Sequence, residues 1–306
     1  MRTVFFGTPQ WALPSLDALL DSDIEVAAVV TNPDRPAGRG MKLRPSPVKT
    51  RAISAGLEVF QPERAREPSV REWLEEKNPD LCTVVAYGKI LPGELLAVPR
   101  LGFVNVHFSI LPAYRGAAPV QRAVMDGAAE TGVSIMVLSE GMDEGPVLAL
   151  ERTPVGPDET AGEVGERLAR VGGPLLVSSL EGFSSGDLVP REQDHAAATY
   201  APKISPEEAR IDWGLPARRI HDHVRGLHPV PGAWTTFRET RLKVLRTAER
   251  GGFAPPGALT ERDGELIAGT GEGSLALAEV QPHGKTRMTG VEFARGVRIV
   301  AGDRLV

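Results

Sequence analysis

The chain has 306 residues, 42% hydrophobic and 25% charged, with a formal net charge of −5. This is the profile of a soluble globular protein with length for two domains, and it argues against a generic nucleic-acid binder. It contains no run of about 18 apolar residues and no basic stretch leading into a long apolar segment at the N-terminus, so neither a membrane span nor a signal peptide is expected.

Thr3–Phe6 reads as the first strand and runs into Gly7-Thr8-Pro9. One glycine is too few for the G-x-G-x-x-G fingerprint, so a dinucleotide site has weak support. The turn is either a tight strand-to-helix link or one that also lines a ligand crevice. A helix over Trp11–Leu20 and a strand over Glu25–Val30 follow. Between Arg35 and Arg51 stand six basic residues, Arg35, Arg39, Lys42, Arg44, Lys49 and Arg51, with no acid among them. A solvated surface loop and a binding site for a local anionic partner both fit this stretch. Helices are expected at Pro47–Ala55, Ser69–Glu76 and Ala118–Asp126, and strands at Leu81–Ala86, Phe103–Phe108 and Val133–Leu138. Several strands are apolar on both faces, as in a parallel sheet covered by helices. The rhythm predicts an α/β domain with an open, doubly wound, mostly parallel sheet. Cys82, the only cysteine, reads as core and allows no intramolecular disulfide, which fits a reducing, cytoplasmic setting.

Two polar residues interrupt the strand Phe103-Val104-Asn105-Val106-His107-Phe108. Side chains alternate along a strand, so Asn105 and His107 share one face while Val104, Val106 and Phe108 take the other. Unpaired buried polar groups cost about 1–3 kcal/mol each. The pair is therefore either satisfied internally or lines a site. Gly141-Met142-Asp143-Glu144-Gly145-Pro146, after the next strand, is a tight acidic loop in which Asp143 is a turn residue or a site residue.

A helix over Asp158–Leu180 precedes a polar, alanine-rich stretch that reads as a linker. The domains are expected at 1–188 and 205–306, with 189–204 linking them. Ser205-Pro206-Glu207-Glu208 has the form of a capping box and predicts a helix start. Short strands at Leu242–Thr247, Gly264–Ala268 and Ser274–Val280 suggest a small barrel or sandwich. The six histidines are scattered; His221 and His223 read as solvent-facing or helix-face residues, and no metal site is expected.

Several motifs share one pattern. Asn105-x-His107-x-Ser109-x-Leu111-Pro112, Arg115-Gly116-Ala117-x-Pro119 and Gly141-Met142-Asp143-x-Gly145-Pro146 resemble the folate-dependent formyltransferase family. Phe6-Gly7-Thr8-Pro9, the segment Asn32–Gly40, Val85-Ala86-Tyr87-Gly88, the segment Glu207–Trp213 and Gly302-Asp303-Arg304-Leu305-Val306 resemble its branch whose acceptor is initiator methionyl-tRNA. The resemblance spans essentially the whole chain. It implies a Rossmann-like sheet followed by a smaller OB-like β-barrel that binds tRNA, and transfer of a formyl group from 10-formyltetrahydrofolate by a monomer. It assigns catalysis to Asn105, His107 and Asp143. It assigns folate contacts to Ser109, Ile110, Leu111 and Pro112, with Ala86, Tyr87 and Gly88 around the pterin. It assigns acceptor-stem contacts to Arg39, with Lys42 and Arg44 beside it; Arg218, Arg219 and Arg225 are further candidates. Formylation of a small amine and an inactive RNA-binding scaffold are the competing readings. Three positions depart from the family pattern: Phe108 for a small residue, Ile110 for Leu and Glu144 for Thr.

Overall fold

The computed structural model describes residues 1–37, 42–252 and 254–306. The chain divides into two compact units that alternate along the sequence. The first holds Met1–Ala117, Thr131–Thr153 and Gly165–Ala201; the second holds Ala118–Glu130, Pro154–Val164 and Pro202–Val306.

In chain order the elements up to residue 185 are β1 (Arg2–Gly7), α1 (Leu13–Leu20), β2 (Glu25–Val30), β3 (Arg35–Ala37), β4 (Lys42–Arg44), α2 (Pro47–Ser54), β5 (Val59–Phe60), α3 (Pro68–Lys77), β6 (Leu81–Val85), α4 (Gly93–Leu96), β7 (Phe103–His107), α5 (Pro119–Met125), β8 (Glu130–Val137), β9 (Val147–Pro154) and α6 (Ala161–Ser185). Proline at the first helical position and a capping side chain start α2: Ser46 accepts the Lys49 amide at 3.0 Å, a cap of about 1 kcal/mol. The first unit is built on a sheet of order β5-β2-β1-β6-β7-β8-β9. β5, β2, β1, β6 and β7 pair in parallel, and β8 runs antiparallel to β7. The chain builds outward from β1 to β2 and β5, then returns to add β6 and β7 on the other side. Such a reversal opens a crevice beyond the strand C-termini. Beneath it Phe6, Tyr87 and Phe103 interlock, with ring centroids 5.4 Å apart in both pairs that Phe6 makes. Each such ring contributes about 1.5–3 kcal/mol when buried.

α6 can cross the sheet closely because it carries glycines. A Cβ on Gly172 would meet Val106 at 3.1 Å and Val133 at 3.5 Å. Phe108 is accommodated on that same side, edge-on to Trp11 at 6.0 Å. Its bulk thus lies behind β7.

The second unit contains α5 and, after residue 201, α7 (Ala217–Leu227), β10 (Ala233–Phe237), β11 (Thr240–Arg250), β12 (Leu259–Arg262), β13 (Glu265–Gly269), β14 (Ser274–Pro282), β15 (Met288–Thr289) and α8 (Gly290–Val297). Its strands pair antiparallel in the order β10-β11-β14-β13-β12, with β15 on β14. This is a separate antiparallel sheet, as expected, but the order is open: among the described residues β10 and β12 do not pair. The last residues bridge both edges instead. Thr236 and Val306 exchange backbone hydrogen bonds at 2.8 and 2.9 Å, and Leu305 donates to the Gly257 carbonyl at 2.8 Å. Trp213, Ile220, Phe237, Leu242, Leu275 and Phe293 fill the core. α5 packs on α7 at Gly226, where a Cβ would collide with Met125.

Two expectations change here. The capping signal at Ser205 makes one turn and no helix: Ser205 accepts the Glu208 amide at 3.1 Å, but the Glu208 carboxylate pairs with Arg122. The chain then enters a bridge between Arg210 and Trp234, and the helix begins only after Pro216. His221 is buried, not solvent-facing; its ring nitrogens lie 2.9 Å from Thr247 Oγ1 and 3.2 Å from the Pro157 carbonyl. Among the described residues no helix is long and apolar enough to cross a membrane.

Candidate active site

β7 carries the two polar residues that alternation places on one face. Asn105 is 9% exposed and His107 5% exposed. Among the described residues the Asn105 side chain has no hydrogen-bond partner, so its amide is available to a ligand. His107 is held: its Nε2 lies 3.0 Å from the Tyr114 carbonyl oxygen. A carbonyl can only accept, so Nε2 carries a proton and donates it. Nδ1 is then the nitrogen left to exchange protons, and it faces Asp143 Oδ2 at 3.7 Å. That separation is longer than a hydrogen bond and fits a site that tightens around substrate.

Asp143 reaches His107 by an unexpected route. β8 is antiparallel to β7, so its last residue, Val137, lies opposite Val104 and not beside His107. The loop that follows must fold back to bring the acid to the imidazole. Asp143 stands at φ +50, and its Oδ2 accepts the Gly116 amide at 2.8 Å. Gly116 needs its own freedom: φ is +124, and a Cβ would lie 2.8 Å from the Ala201 carbonyl. Ala86 and Tyr114 are also non-glycine residues at positive φ, +48 and +59. Such strain persists only where the surroundings impose it, and it concentrates at functional sites. Glu144 is folded over Gly141, where a Cβ would strike its carboxylate.

Ser109, Ile110, Leu111 and Pro112 form the loop that leaves β7. The Ser109 hydroxyl is buried and donates to the Ala113 carbonyl at 2.6 Å, while Ser134 Oγ donates to the Ser109 carbonyl and accepts the Leu111 amide. Ser109 therefore shapes the loop with its side chain; Ile110 and Pro112 stay half-buried at its edge. The parallel register pairs Val84 with Asn105, and Ala86 follows just past the end of β6. Ala86 and Gly88 are exposed there, whereas the Tyr87 ring is sunk in the core. Burial pushes the Tyr87 phenol up to about 12. Its backbone carbonyl accepts from Asn32 Nδ2 at 2.7 Å, and the same amide donates to Thr8 Oγ1 at 2.9 Å. Asn32 thus ties together the loops after β1, β2 and β6.

Of the basic stretch, Arg39 lies outside the described residues, as does the Lys42 side chain. Lys49 and Arg51 are already neutralised, by Asp34 at 2.7 Å and Asp17 at 2.6 Å. Hydrogen bonds from Lys49 and Gln61 hold the Asp34 carboxyl below the usual carboxylate range. Arg35 and Arg44 are exposed and stand directly opposite each other in the β3–β4 hairpin. Like charges across a strand pair repel, so this hairpin gains from an anion. In the second unit Arg225 is buried against Asp222 at 2.6 Å, and Arg218 pairs with Asp222 and Glu249. Only Arg219 of that trio is exposed and unpaired among the described residues. A better basic surface was missed: Arg241 lies 4.2 Å and Arg210 5.8 Å from the centre of the Trp234 ring. The strand alternation of Trp234, Arg241 and Lys243 was its sequence signal.

The chain resembles known proteins along most of its length. The family model described as "Formyl transferase" matches residues 1–180, and "Formyl transferase, C-terminal domain" matches residues 203–298. Methionyl-tRNA formyltransferase of Thermobifida fusca is 47% identical over 306 residues, covering 99% of each chain. Among solved structures, methionyl-tRNA formyltransferase from Clostridium thermocellum superposes with a TM-score of 0.60 at 17% identity, over 92% of this chain and 98% of its own. HypX from Aquifex aeolicus, solved with tetrahydrofolic acid, gives 0.67 at 18% identity, over 96% of this chain and 47% of its own. The last two show likeness of fold.

Proposed function

The chain belongs to the methionyl-tRNA formyltransferase family, and we propose that it moves a formyl group from 10-formyltetrahydrofolate to the α-amino group of initiator methionyl-tRNA, for translation initiation. The observation that carries the mechanism is the convergence of an unpartnered Asn105 amide, a His107 with a free Nδ1 and the Asp143 carboxylate 3.7 Å from it.

The reaction is acyl transfer. Negative charge develops on the formyl oxygen as the amine attacks. The Asn105 amide donates a hydrogen bond to that oxygen, the kind of contact whose loss costs about 10²–10³ in rate. His107 Nδ1 takes a proton from the attacking amine and returns it to the departing nitrogen. Asp143 orients the imidazole and stabilises its charged form while it holds that proton. The Ser109–Pro112 loop and the backbone at Ala86 and Gly88 border the place for the folate. Tyr87 contributes through its backbone. In this reading the enzyme acts as a monomer. A cytoplasmic setting follows from the acceptor.

Residues 1–188 form the catalytic domain in this reading, residues 189–204 the connecting segment and residues 205–306 a barrel-like tRNA-binding domain. The Arg35–Arg44 hairpin with Arg39 and Lys42 meets acceptor-stem phosphates, which position RNA without reading sequence. Arg210, Trp234 and Arg241 offer a second RNA surface, where the ring can stack and the arginines meet phosphate. The test is transfer of radiolabelled formyl from the folate donor, with charged initiator tRNA and small amines offered in parallel. Label on the tRNA alone is the expected result; label on a small amine alone overturns the assigned acceptor.

A further inference from the structure

We infer that Gln193 is a positioning residue for formyl transfer: it fixes the Asp143 turn, and through it the carboxylate that faces His107. This rests on the reading above in which Asp143 and His107 handle the acceptor's proton.

Gln193 lies in the polar stretch that resembles a linker, yet it is 7% exposed. Its Nε2 donates to the Asp143 carbonyl at 2.9 Å and to the Gly145 carbonyl at 2.6 Å. Its Oε1 accepts from Arg115 Nη2 at 2.7 Å and Nε at 3.1 Å. A primary amide offers two donors and one oxygen with two lone pairs, so the side chain is fully used. Both donated bonds end on the turn that holds Asp143 at φ +50. Relaxing that backbone would rotate the two carbonyls away and break both bonds together. Arg115, 2% exposed, makes no ion pair among the described residues; its other polar contact is His195 Nδ1 at 3.4 Å. Its backbone is tied to the same stretch, with its amide donating to the Thr199 carbonyl at 2.9 Å and its carbonyl accepting from Ala201 at 2.7 Å. Gln193 therefore connects the Asp143 turn to the Arg115–Gly116 loop, and Gly116 in turn donates to Asp143 Oδ2. Gly116 thus holds the Asp143 carboxylate, and Gln193 holds the backbone that carries it.

The test uses the full chain and single-turnover formylation at saturating folate donor and tRNA. Gln193→Glu keeps an acceptor for Arg115 and removes both donors to the turn; Gln193→Met removes both functions at similar volume. Each is combined with Asp143→Asn in a double-mutant cycle, with thermal unfolding as the check on the fold. A displacement of about 1 Å at a catalytic group costs on the order of 10²-fold. The expected result is a loss of that size in a folded Gln193→Glu protein, with KM for both substrates unchanged. In the Asp143→Asn background the same substitution adds little further loss, because the path through Asp143 is already cut. A parental rate in both folded Gln193 variants overturns the inference, and so does a loss that multiplies in full with Asp143→Asn. Full activity in Asp143→Asn alone overturns the catalytic reading and this inference together, so the two failures are distinct.

Discussion

The residues proposed for catalysis divide between a strand and a turn, and the two are held in place by different physics. Asn105 and His107 ride on β7, flanked on both sides by paired strands, so their shared direction follows from the two-residue period of a strand. Asp143 sits in a turn at positive φ, and its direction follows from bonds made by residues distant in sequence, Gly116 and Gln193. A strand position is robust to changes elsewhere and sensitive only to its own side chain. A turn position can be lost without altering the catalytic residue at all.

Substitutions should expose that asymmetry. The largest effect is expected at His107: His107→Ala removes the proton-handling group and lowers the single-turnover rate by about 10²–10⁴, with an unchanged unfolding curve. Asn105→Ala should cost about 10²–10³ and leave folate affinity nearly intact, measured by fluorescence titration; an equal loss of binding and rate would move Asn105 from oxyanion support to ground-state binding. Gly116→Ala is the probe of the turn side. It forces a Cβ onto the Ala201 carbonyl at a φ that disfavours it, and should destabilise the protein by about 1–3 kcal/mol in urea unfolding while also slowing formylation. A stability loss with no rate loss would separate this loop from catalysis. The smallest effect on chemistry is expected from Arg44→Ala. It should reduce the salt dependence of tRNA binding by about one phosphate contact and leave the rate at saturating tRNA unchanged.

The same division explains what the sequence could reveal. The alternation in Phe103–Phe108 was enough to place Asn105 and His107 on one face, and buried valine-rich runs were enough to define the parallel strands. Asp143 was legible only by resemblance, because an antiparallel β8 followed by a returning loop leaves no periodic signal. Gln193 was hidden for a related reason: a buried glutamine in a polar stretch looks like any solvated one until its partners are known. Ser205 misled because a local cap competes with a long-range ion pair, and Arg122 captured Glu208. The basic stretch was overcounted, since Asp34 and Asp17 lie outside it in sequence yet neutralise Lys49 and Arg51. Composition reports charges, whereas only the fold reports which remain unpaired.

The packing of α5 on α7 has a consequence for biosynthesis. Met125 and Gly226 are neighbours in space, but the ribosome makes them far apart in time. α5 emerges while the first unit's sheet still lacks β8 and β9, and its apolar side has no native cover until α7 follows. Contacts of such long sequence separation are slow to form and leave apolar surface exposed in the interim. The nascent chain therefore carries the uncovered apolar residues of this segment through a large part of its own translation.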